Sequence, residues 1–343
     1  MKKNLLIVSI LLISTLLHAQ NTAKNAPATT ATPYDPVVMK AHEDSLIKQF
    51  NNIRTLPKED DRFNACYKFV PELVKALKEP GSFYYPFDSL KGVSIVKPED
   101  DSFRIFTWMV VKGSADNLKT ISYKYFGAIQ INNPEKLELI PLDDKSLTLV
   151  APEDKVLGNE DWYGALYYGI HTYIYNGTTY YLLFGWDGNT SMSDKKLADL
   201  LYFQEGKARF GAPVFEVLSP ITNTKSTKHR LVLEFKEGSS VSLNFNKEEN
   251  KIVYDFLAPE DETAAKIAGA AFSYVPDGTY QGMELNPATG MWEARPLVLK
   301  GVSMDAPPRP APVLDKKKTH EGNFMPPKNK KDKKGKAPKR PRP

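Results

Sequence analysis

The sequence predicts a mainly β protein. It reads as one large antiparallel β domain, built as a sandwich, a barrel or an irregular propeller, with a short helical segment before it and a disordered C-terminal tail after it. Three observations carry this. Apolar residues recur at helical spacing only before about Gly81. From Phe83 onward the period is two, in short runs of β-branched and aromatic residues with no long helix between them. The 40 residues from Met304 hold nine prolines and almost no large apolar side chain, so they cannot build a core.

In chain order, Met1 to Ala19 joins two lysines, an apolar stretch from Leu5 to Leu17 and a small residue before Gln20, the pattern of a secretory signal peptide cleaved near Ala19. That apolar run is shorter than the roughly 20 residues a spanning helix needs, and no later stretch is apolar enough. The mature protein is therefore expected to be soluble, periplasmic or secreted, with no transmembrane segment. Cys66 is the only cysteine, so no internal disulfide forms.

Residues 20–36 are rich in Asn, Thr, Ala and Pro and read as a disordered leader. Residues 37–80 read as a helical segment. Asp35-Pro36 supplies a cap and a first-turn proline, and Met39, Leu46, Phe50 and Ile53 form a stripe to about Arg54. A second stripe joins Phe63, Cys66, Val70, Leu73 and Leu77, with Pro71 expected to kink or restart the helix. Cys66 on this stripe reads as a small buried apolar residue. Pro80-Gly81 ends the helix.

Residues 81–303 read as the β domain. Strands are expected at Phe103–Lys112 and Ile121–Ile131, joined by a polar turn with Gly113 and Asn117, then at Leu137–Pro141 and Ser146–Val150. Ser193–Leu201 fits either a short helix or a strand. Leu231–Phe235, Val241–Phe245 and Ile252–Leu257 read as an antiparallel meander, and Thr279–Leu285 with Met291–Leu299 as a last pair. No fixed repeat is visible.

The segment from Trp162 to Phe203 holds eight of the 17 tyrosines and two of the four tryptophans. Asn176-Gly177 lies between two aromatic runs there, the sequence mark of a hairpin whose turn residues both need positive φ. A type I′ turn sets Tyr175 opposite Thr178, Tyr173 opposite Tyr180, His171 opposite Leu182, Gly169 opposite Phe184 and Tyr167 opposite Trp186. Both faces are apolar, so the hairpin reads as central rather than as an edge. Its tyrosines read first as core.

The strings SFYYPFDSL, FRIFTWMV, YKYFGAIQI, WYGALYYGI, YYLLFGWDGN, KKLADLLYF, KIVYDFLAP and YVPDGTYQG follow one another in this chain. Over about Val37 to Leu299 the chain resembles a family of uncharacterised secreted proteins of Gram-negative bacteria. The resemblance implies export and a shared β-rich fold. It transfers no assigned activity, catalytic residue or ligand, and the basic tail extends beyond the family's usual end.

From Lys316 to Pro343 there are 12 lysines and arginines against two acids. This +10 and the two lysines at positions 2 and 3 exceed the chain's net +5, so the remainder carries −7. An acidic body thus bears a basic segment, residues 304–343, suited to an anionic envelope surface or another polyanion, nucleic acid only without sequence preference.

Motifs that carry chemistry are scarce. His42, His171, His229 and His320 stand at no metal-ligand spacing, so no metal is expected. Asp187-Gly188-Asn189-Thr190-Ser191 opens like a calcium loop, but Met192 stands where glycine is required and Ala198 where glutamate is required. No nucleophile elbow, phosphate loop or dinucleotide fingerprint occurs, and no cofactor is implied. Two function classes remain. One is an exported non-catalytic envelope or secreted binding protein for a glycan or protein ligand, with Trp162, Tyr167, His171, Trp186 and Asp187 as candidate contacts. The other is a glycoside hydrolase acting on polysaccharide through Asp161 and Asp187, since that chemistry needs two carboxylates beside an aromatic groove.

Overall fold

The computed structural model describes residues 33–113, 121–218, 224–261, 263, 270–295 and 297. The expected signal peptide, most of the expected leader, residues 114–120 of the expected turn and the basic tail lie outside the described residues.

Two helices open the fold, α1 (Pro36–Thr55) and α2 (Glu59–Lys78). The Asp35 carboxylate accepts from the Val37 and Val38 amides at 2.8 and 3.1 Å, which fixes the start of α1. Helix α2 runs through Pro71 without a break, so the helix does not restart there. Phe69 and Leu73, on either side of the proline, are buried in one cluster with Phe50 and Trp108, and that packing holds the helix through the lost amide.

The strands β1 (Ser94–Val96), β2 (Phe103–Lys112), β3 (Ser122–Ile131) and β4 (Glu138–Asp143) pair in order as a first sheet. A second sheet starts with β5 (Leu166–Tyr175), β6 (Thr178–Asp187) and β7 (Ser193–Gln204), with β8 (Lys207–Phe210) on the far part of β7. The third sheet collects β9 (Phe215–Leu218), β10 (Lys225–Lys228), β12 (Leu243–Asn246), β13 (Lys251–Pro259), β14 (Tyr274–Leu285) and β15 (Trp292–Arg295). Between β10 and β12 the chain makes β11 (Leu231–Lys236), which joins the second sheet beside β7. The expected meander of β11, β12 and β13 is thus divided between two sheets. β12 and β13 pair, whereas β11 aligns Leu231 with Ala198 and Lys236 with Ser193.

Side-chain alternation stacks these layers. On β2, Phe106, Trp108 and Val110 meet the helices, while Phe103, Ile105, Met109 and Val111 meet the second sheet. On β6, Tyr181 and Leu183 face the first sheet, and Leu182 and Phe184 face the third. Each large apolar side chain so enclosed contributes about 1.5–3 kcal/mol. The order is helix pair, first sheet, second sheet, third sheet, so the β domain is of the sandwich type. No helix among the described residues is long and apolar enough to cross a membrane.

Two further expectations change. Ser146–Val150 is a turn, because the Asp144 carboxylate captures both the amide and the hydroxyl of Ser146 at 2.8 and 2.6 Å. Ser193–Leu201 is strand, paired on both sides by β6 and β11.

The hairpin register holds from the turn to Gly169, where Gly169 pairs with Phe184. Beyond it the ladder slips, and Tyr167 pairs with Gly185 instead of Trp186. Tyr168 is the extra residue of this β-bulge, and its hydroxyl reaches across to the Leu243 carbonyl of the third sheet at 2.7 Å. The hairpin is central among the layers, yet β5 ends its own sheet in the hydrogen-bonding direction.

Asn176 and Gly177 have φ of 47° and 74°, and a Cβ on Gly177 would meet nothing within 4 Å. Gly177→Val therefore carries only a backbone penalty, and we expect it to lower unfolding free energy by about 1–3 kcal/mol in a denaturant titration. Unchanged stability would contradict the turn.

Candidate functional site

The aromatic residues picked out by sequence are core. Trp162 and Tyr167 are fully enclosed, and the indole of Trp162 donates to the Tyr167 hydroxyl at 2.8 Å. Tyr167 is fixed again where its amide donates to the Thr107 hydroxyl. Trp186 is buried, with its ring centroid 5.9 Å from that of Tyr123. A ring with no exposed face cannot stack on a sugar unless the core opens. The bulge at Tyr168 also divides the set that the sequence placed on one face. Tyr167 packs toward the first sheet, whereas His171 stacks on Phe245 of the third sheet with centroids 3.5 Å apart. Burial lowers the His171 pKa, so at pH 7 the imidazole is neutral.

The two acids are also separately engaged. Asp161 accepts from the Gly158 amide and closes a turn. Asp187 is buried and accepts from Tyr125 and Tyr163 hydroxyls, each at 2.9 Å, and from the Asn189 amide at 2.8 Å. Burial nevertheless raises its pKa, the donors only partly offsetting the desolvation. These contacts make Asp187 the joint between β3, β6 and the turn after β6. Among the described residues no group of histidine, cysteine, aspartate and glutamate is placed to hold a metal ion.

Asp187 leads outward to a site the sequence did not indicate. Strand register sets Asp187 beside Lys195 on β7 and Lys195 beside Glu234 on β11, a row of alternating charge across three strands. Lys195 Nζ lies 3.9 Å from Glu234, whose carboxylate also accepts from Ser193 Oγ at 2.6 Å. Four residues further along β7 is a fully buried ion pair, Arg230 Nε to Asp199 at 3.1 Å. The guanidinium also donates to the carbonyls of Pro152, Lys155 and Phe210, so its donors are used inside the fold. Gly211, at φ 88°, fits here because a Cβ would stand 2.7 Å from Arg230 Nη2.

Beyond Lys195 and Arg230 opens a cavity of about 800 Å³ between β11 and the third sheet, a size that suits ligand binding. Leu231, Val232 and Leu233 of β11 form one wall, and Val217, Leu218, Phe256 and Leu257 line the third-sheet side. Tyr254 and Gln281, paired across β13 and β14, also line it, and among the described residues neither side chain has a hydrogen-bond partner. Burial pushes the Tyr254 phenol up to about 12, so it stays protonated at neutral pH. A second cavity of about 280 Å³ lies at β1, with Phe87, Ile95 and Tyr168 in its wall.

The signals for this site were charges within apolar alternation: Asp199 in Leu-Ala-Asp-Leu-Leu and Arg230 just before Leu-Val-Leu. Charged residues at inward positions are rare unless paired. Comparison with protein-family models, with curated proteins and with solved structures finds no match.

The ion pair yields a test. Arg230→Met leaves Asp199 charged and unpaired in the core, so we expect a loss of about 3–5 kcal/mol in a denaturant titration. Joining it to Asp199→Leu should restore part of that loss, since the bonds from Arg230 to the carbonyls stay absent. A double variant no more stable than the single one would contradict the pairing.

Proposed function

We propose that this chain is an exported, non-catalytic binding protein of the bacterial envelope, whose cavity beside β11 holds a ligand and whose basic tail tethers it to anionic surfaces. The cavity is the observation that carries this reading. Its walls are largely apolar, and three of the charges around it are paired within the fold: Arg230 with Asp199, Lys228 with Asp154 at 2.7 Å, and Glu216 with Lys225 at 2.8 Å. Walls of this kind select by shape and apolar contact, with Tyr254 and Gln281 free to orient a polar group.

The signal-peptide pattern and the resemblance to exported proteins support an envelope or secreted location. For the tail, each lysine or arginine near an anionic surface is worth about 1 kcal/mol, an attraction that fades over the Debye length of about 8 Å at physiological salt. Its prolines favour extension, which keeps the acidic body away from a like-charged surface.

The two parts separate in one set of measurements. The mature protein is expected to bind an anilinonaphthalene sulfonate dye saturably, and Ala294→Trp, on the cavity wall, to abolish that signal. Co-sedimentation with envelope fragments should fall at high salt and on deletion of residues 304–343, with dye binding unchanged. Dye binding indifferent to Ala294→Trp would contradict the cavity. Sedimentation indifferent to both salt and deletion would contradict the tether.

A further inference from the structure

We infer that the cavity receives an extended peptide segment of another protein, which adds to the free edge of β11 as a further strand, with apolar residues alternating with basic ones. This rests on the reading of the cavity as a binding site and goes on to name its ligand class.

Strand β11 pairs with β7 and ends the order of its sheet. Which of its backbone groups face outward follows from one bond. The Glu237 amide donates to the Met192 carbonyl at 2.8 Å, one step past the paired run that aligns Lys236 with Ser193. In an antiparallel ladder, directly opposed residues alternate between pairs that exchange hydrogen bonds and pairs that do not. Counting back from Glu237, the amides and carbonyls of Phe235, Leu233 and Leu231 point at β7. Those of Glu234 and Val232 point away from it. Among the described residues these outward groups have no partner, and both residues line the cavity. A strand edge of this kind is a template for another chain.

The side chains of β11 define what such a chain carries. Leu231 and Leu233 pack with the cluster shared with the third sheet, so an added strand presents every second side chain to an apolar wall that includes Val217 and Leu257. The intervening side chains lie on the side of Val232 and Glu234. Around the cavity the carboxylates of Glu234, Glu153 and Asp255 outnumber the ammonium of Lys195, because Arg230, Lys228 and Glu216 are paired with Asp199, Asp154 and Lys225. Opposite charges directly across a strand pair stabilise it, so lysine or arginine fits these positions.

The test uses the full mature chain and an acetylated heptapeptide of alternating valine and lysine. Two further peptides carry N-methyl groups, one on the valine amides and one on the lysine amides. Strand addition turns only one of these sets toward β11. One methylated peptide should therefore bind about tenfold or more weakly by calorimetry, the effect of losing a buried hydrogen bond, and the other should match the parent. Val232→Pro removes an outward amide and leaves the bonds to β7 intact, as proline permits on an edge strand. It should weaken the parent peptide by a similar factor, while the methylated peptides keep the test valid should that variant unfold. Equal affinity of all three peptides, or no binding of any while the dye still binds the cavity, would overturn the inference and leave the cavity reading intact. Loss of dye binding itself would instead remove the cavity reading. A dimer of the full chain that Val232→Pro dissociates, with no peptide bound, would assign the edge to a second copy and overturn the choice of partner.

Discussion

A sheet covered on both faces has only its two edges left for hydrogen bonding to anything else, and the second sheet is under that constraint. The first sheet takes Tyr181, Leu183, Leu197 and Leu201 from one side, and the third sheet takes Leu182, Phe184, Ala198 and Leu200 from the other. At the β5 edge, the Ser94 hydroxyl caps the Tyr167 carbonyl, and β1 lies alongside. The opposite edge divides into two parts: β8 covers the far end of β7, and β11 covers the near end and presents its own edge to the cavity. The layer order thus decides where a partner can add to this sheet.

Polar groups trapped between the layers are each tied to the backbone. Arg62 of α2 donates to the Val111 and Gly113 carbonyls at the end of β2, and Arg104 of β2 donates to the Ser82 and Tyr85 carbonyls. Arg230 joins the start of β11 to β7, β8 and the turn at Pro152. Three buried guanidiniums therefore hold elements that are distant in sequence, each through charge-assisted bonds to backbone carbonyls. Burial without a carboxylate partner lowers Arg104 to about 9, and the rings of Phe83, Phe87 and Phe106 surround it.

Local pattern was enough to read much of the fold. Alternation located β2, β3, β6 and β13, and Asn176-Gly177 fixed the hairpin register as far as Gly169. Two physical facts lay beyond it. Strand partnership is non-local: nothing in Leu-Val-Leu-Glu-Phe says that its neighbour is β7, where Leu231 aligns with Ala198, rather than the strand that follows. A bulge moves every side chain beyond it to the other face, so one extra residue at Tyr168 was enough to separate Tyr167 from His171. Gly169 was a hint, since glycine inside a strand often marks a bulge. The site was legible only in part. The aromatic richness of residues 162–203 marks the centre of the core, whereas the cavity forms where that core meets β11 and the third sheet, a junction made by topology.

The central claim is that β11 turns alternate backbone groups into the cavity without partners. Residue-resolved amide hydrogen exchange on the mature protein measures this directly. Val232 and Glu234 are predicted to exchange rapidly, and Leu231, Leu233 and Phe235, bonded to β7, to be protected. Uniform protection from Leu231 to Phe235 would mean that the edge is already paired, and would contradict the account.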